Sequence, residues 1–105
     1  MTVRIRRLAI DAYVLDVLMR DLTAHDKQPS AFLVYLHLWR RASGSRRKRV
    51  SASHQSMADG TGLSKSAVQM AIRTLRRRRL VQCWRASQTA VPEYAVQRPW
   101  TSARA

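Results

Sequence analysis

Residues 60–81 read GTGLSKSAVQMAIRTLRRRRLV: two glycines and a serine, then an apolar stripe, then four consecutive arginines. Ser64 is suited to cap a helix over about residues 65–78, because its hydroxyl can accept a free first-turn N–H. On that helix Val68, Ile72 and Leu75, flanked by Ala71, recur at helical spacing and must face a core. Ser66, Met70, Arg73 and Arg77 point the opposite way, with Gln69 beside them. Arg79 would fall on the buried stripe if the helix continued, so the helix is expected to end just before it. Gly62 lies where the chain must turn sharply, in a φ > 0 conformation that glycine tolerates best. A preceding short helix is supplied by HQSMADGTGL, with Ser53 as cap, an end near residues 60–62, and the small Ala58 where the two helices would cross.

The rest of the chain supplies what this helix pair packs on. Residues 11–24 repeat at helical spacing: Leu15, Leu18, Met19 and Leu22, with Ala12, form a stripe expected to face the core, and Asp11 is the expected cap. Tyr13, Val14 and Val17 make a second apolar patch opposite it, a candidate dimer interface. After the loop HDKQPS, the segment AFLVYLHLWRRAS is a helix with Ser30 as expected cap. Phe32, Leu36 and Trp39 line one side and Val34, Leu38 and Ala42 the other, so it should be sandwiched. GSRRKR is a basic turn, and VSAS alternates briefly as a candidate short strand. LVQCWRAS and EYAVQR read as two strands of a hairpin around QTAVP, with Cys83 a small buried side chain and Trp84 and Trp100 covering the hairpin. Residues 99–105 are a tail, expected to be loose beyond Trp100.

Helix, tight glycine turn, second helix with a polar N-terminus is the helix-turn-helix layout. The segment TGLSKSAVQMAIRTLRRRRLV resembles the recognition-helix region of winged helix-turn-helix regulators of the MarR and GntR type. The hairpin is similar to their wing, and the sandwiched helix to their first core helix. The likeness covers about residues 30–98. It implies a mainly α fold, a winged helix-turn-helix with a small antiparallel β-hairpin wing, to which this chain adds an N-terminal helix. The division expected is one domain: an N-terminal helix in residues 1–28, a core in 29–98 and the tail. A glycine usually precedes the final Leu-Val in that family; here the place holds Arg79, so the helix exit must be made another way.

Charge points to the partner. Twenty Lys and Arg against six Asp and Glu give +14, and all but Lys27, Lys48 and Lys65 of the twenty are arginine. Residues 1–39 carry only about +1, whereas residues 40–105 set fifteen basic side chains against Asp59 and Glu93, so +13. A polyanion should therefore meet the second part, nucleic acid before an anionic membrane. Carried over by the resemblance, Ser64, Lys65 and Ser66 would hold a phosphate at the helix N-terminus. Gln69 and Arg73 would read base edges, and Met70 a thymine methyl. Arg77, with Arg76 and Arg78, would meet phosphates, and Arg85 would contact backbone or minor groove from the wing. Arg46, Arg47, Lys48, Arg49 and Ser53 are further candidate phosphate contacts.

The implied partner is double-stranded DNA, bound by a homodimeric regulator. Structured RNA, DNA without sequence preference (as in replication or partition), and a protein adaptor are the competing readings. No cofactor or metal is expected: His25, His37 and His54 are far apart and Cys83 has no second cysteine. With six carboxylates and no nucleophile–base spacing, catalysis is not expected either. The lone cysteine and interrupted apolar runs fit a cytoplasmic, nucleoid-associated protein without a membrane span.

Overall fold

The computed structural model describes residues 6–46 and 48–101. It is a winged helix: an N-terminal helix over residues 12–25, α1 (Pro29–Ser43), β1 (Arg49–Ser51), α2 (His54–Thr61), α3 (Lys65–Arg77), β2 (Val81–Trp84) and β3 (Glu93–Val96), closed by a 3-10 turn at Pro99–Thr101. The sheet is antiparallel with order β1-β3-β2, so the expected hairpin gains a third strand from the first half of the VSAS region. Val50 pairs with Tyr94, and Tyr94 with Cys83, in a row that faces the helices. Val50 and Tyr94 are buried there, and Cys83 is half-buried against the core.

Helix α1 is the sandwiched element, burying Ala31, Phe32, Val34, Tyr35, Leu38, Trp39 and Ala42. Each large apolar side chain fully buried there contributes about 1.5–3 kcal/mol, which outweighs the weak intrinsic helix preference of its valine and aromatics. Its start differs from expectation. Pro29 occupies the first turn, where its missing N–H costs nothing, so Ser30 falls inside the helix and no side chain caps it.

The N-terminal helix differs more. Two stretches, Val14–Leu18 and Asp21–His25, are π turns with i→i+5 hydrogen bonding. Wider turns bring residues four apart closer into line, so Val14, Leu18 and Leu22 form the buried seam. Leu15 and Met19, expected in the core, are 47% and 42% exposed. Val14, expected on an outward dimer patch, is wholly buried, and Val17 is half-buried. Tyr13 is stacked on Trp100, centroid to centroid 4.7 Å. The foreseen patch of Tyr13, Val14 and Val17 is therefore not an open surface. Asp11 does not cap with its side chain; its carboxylate accepts hydrogen bonds from the Trp100 indole (2.9 Å) and the Arg98 guanidinium. Trp100 is thus docked on Tyr13 of the N-terminal helix and beside Tyr35 of α1, and the tail beyond Thr101 lies outside the described residues.

Candidate nucleic-acid interface

The turn before α3 is built as its residues dictate. Ser53 Oγ accepts the Ser56 N–H at 3.0 Å and starts α2. Gly62, at φ +81°, ends α2 with its N–H on the Ala58 carbonyl at 2.9 Å. Ser64 Oγ then accepts the Ala67 N–H at 3.1 Å and starts α3. Gly60 matters for a different reason. A Cβ there would fall on the His37 ring, so glycine is what lets α2 lie against α1. Val68, Ala71, Ile72 and Leu75 pin α3 to the core, and Thr74 is buried with them.

The opposite face of α3 is open. Ser66, Met70, Arg73 and Arg77 are all exposed and lie in one stripe, Met70 at 50%. Lys65 and Arg76 are exposed on the flank, and α3 contains no carboxylate. Ser64 and Ser66 hydroxyls sit 3.3 Å apart at the helix N-terminus. Gln69 is half-buried, with its amide nitrogen 3.4 Å from His54 Nδ1, a contact long enough to be given up easily. Arg85 is exposed in the wing loop, one N–H on the Gln88 carbonyl at 3.1 Å.

Other candidates are placed differently. Arg78 is not free for phosphate: it donates to Asp26 (2.8 and 2.9 Å) and to Asp21 (2.9 Å), tying the end of α3 to the N-terminal helix. Ser53 is engaged as a cap. Arg49 lies 3.9 Å over the Trp84 ring and 3.6 Å from Glu93, on the outer face of the sheet. Arg46 and Lys48 are exposed, and Arg47 lies outside the described residues.

One residue of this surface was not singled out from the sequence. His54 lies beside Gln69 at the start of α2, and burial, then Arg85 and Lys65, hold its imidazole below the usual histidine range. It follows the cap residue Ser53, but that position alone does not tell which way its ring points. Among the described residues no cluster of His, Cys, Asp or Glu could hold a metal ion, and no helix is long and apolar enough to cross a membrane.

At α3's exit the absent glycine is replaced in kind. Arg79 itself takes the left-handed conformation, φ +58°. Its N–H reaches the Arg76 carbonyl at 3.0 Å, and the Leu80 N–H reaches the Leu75 carbonyl at 2.8 Å. This is the Schellman arrangement, with buried Leu80 over buried Leu75 as its apolar contact. The wing therefore leaves α3 as it would after glycine. No protein-family model, curated protein or solved structure matches the chain.

Proposed function

We propose that this protein binds double-stranded DNA sequence-specifically, as a transcriptional regulator does, with α3 in the major groove. The observation that carries the reading is the open stripe of Ser66, Met70, Arg73 and Arg77 on a helix without a carboxylate, held rigidly by its other face. Arg73 is in position to pair with a guanine edge, and Met70 offers a thymine methyl an apolar contact. Gln69 reads adenine once it leaves His54. Lys65, Arg76 and Arg77 meet phosphates on either side, and the first-turn N–H groups and Ser66 bind another. Arg85 brings the wing to the backbone. No cofactor or catalytic role forms part of the proposal.

The homodimer we propose uses a changed surface, the neighbouring exposed Leu15 and Met19 of the N-terminal helix. A second copy is the favoured occupant because residues 1–39 are near neutral, whereas the remaining surfaces repel each other. Binding of structured RNA, or of DNA without preference, is the second reading, favoured by a wing loop whose only cation is Arg85. Labelled genomic fragments in competition with excess bulk DNA and RNA separate the two. Retention of particular fragments is the expected result; equal displacement by RNA would overturn it.

A further inference from the structure

Several cations of this molecule are matched by carboxylates: Arg78 by Asp21 and Asp26, Arg98 by Asp11, Arg49 by Glu93. The cations of α3 and the wing form one unmatched surface. A second lies behind α1, where Arg6, Arg7 and Arg40 line a cleft of about 370 Å³ with Ser43. Among the described residues, none of these three guanidinium groups is in ion-pair contact with a carboxylate. The adjoining hollow shares Ser43 and adds Lys48, beside the paired Asp11 and Arg98.

The cleft is built from the backbone outward. The Trp39 indole donates to the Ala9 carbonyl at 2.9 Å, and residues 6–8 lie beside the last turns of α1. That anchor carries Arg6 and Arg7 to Arg40, which is exposed on the side of α1 turned away from its buried residues. The buried side of α1 packs on α3, so the thickness of the core separates this cleft from the open stripe. Converging like charges work against folding unless an anion shares the site. Guanidinium forks fit phosphate oxygens in pairs.

We propose that this rear cleft holds the phosphate backbone of a second double-stranded DNA segment, so that one chain bridges two duplexes. The cleft uses different residues from α3, but bridging rests on the reading of α3 as the site of the first duplex. The test immobilises one duplex, adds the protein, and measures capture of a second, labelled duplex. The parent is expected to capture it. The variant Arg6→Ala/Arg7→Ala/Arg40→Ala is expected to bind the immobilised duplex within about threefold of the parent, while capture falls about tenfold or more as its phosphate contacts are lost. Circular dichroism should match the parent, since all three side chains are exposed; Arg6→Gln/Arg7→Gln, outside any helix, gives a milder second variant with the same direction. Undiminished capture by both variants would overturn the proposal, as would a parent that never captures a second duplex, or one that captures labelled RNA instead. If Arg73→Ala/Arg77→Ala abolished binding to the first duplex while the rear variants lost only capture, both readings would be supported. If the α3 variants were silent and the rear variants lost all binding, the reading of α3 would fall, and with one duplex site left the bridging proposal would fall with it.

Discussion

Arg79 has an arginine's Cβ in a conformation that suits glycine. A left-handed L-residue costs about 1–2 kcal/mol, and a glycine's extra chain entropy returns roughly half of that. Arg79→Gly is therefore expected to stabilise the fold by about 0.5–1 kcal/mol, read as a higher urea midpoint at unchanged slope. A lower midpoint would mean that the arginine side chain holds the exit. The sequence showed that a turn was needed after residue 78, because Arg79 would otherwise enter the core; it did not show that a non-glycine would bend to make it. The caps divide in the same way. Ser53 and Ser64 were legible because each precedes an apolar stripe by a fixed offset. Asp11 and Ser30 satisfied the same local rule but were overruled, one by Arg98 and Trp100 from the far end of the chain, the other by Pro29.

At the scale of elements, the approach of α2 to α1 depends on Gly60 beneath His37. Burial, then Arg41, keeps that imidazole below the usual histidine range, and its Nε2 has no hydrogen-bond partner among the described residues. In a helix alanine is better than glycine by about 0.8–1 kcal/mol, but overpacking costs about 1–3. Gly60→Ala is expected to destabilise by about 1 kcal/mol in the parent and to stabilise in a His37→Ala background; a double-mutant cycle in urea measures the coupling. Equal effects in both backgrounds would show that the ring swings aside freely. Helix α3 was readable because one face is apolar and the other is not, at a strict 3.6 period. The N-terminal helix misled because its π turns change that period, and nothing in its composition announces them. The result moved Val14 inward and Leu15 and Met19 outward.

Across the whole molecule, the N-terminal helix and α3 are joined by Arg78. Burial alone would raise the Asp26 carboxyl, but His25 and Arg78 more than offset it and hold it below the usual carboxylate range. A pKa lowered by folding contributes stability above the unfolded value, and that contribution is lost as pH falls through the folded one. Asp26→Asn is expected to cost about 2 kcal/mol at pH 7, with the difference from the parent shrinking below about pH 4. A difference independent of pH would mean that the ion pair contributes nothing. The proposed dimer makes this clasp matter for function, since it would fix two recognition helices relative to the twofold axis. Sedimentation of Leu15→Glu/Met19→Glu is expected to give half the parent's mass; a parent already monomeric at tens of micromolar contradicts the dimer. Base reading by α3 is best checked by selecting bound duplexes from a random pool with the parent and with Arg73→Ala. The expected consensus is an imperfect palindrome with half-sites about 10 base pairs apart or a multiple of that. The variant should lose preference at one position per half-site, at a cost of about 1–3 kcal/mol. A pool that stays random with the parent, or a consensus untouched by Arg73→Ala, would contradict the reading of α3 as a recognition helix.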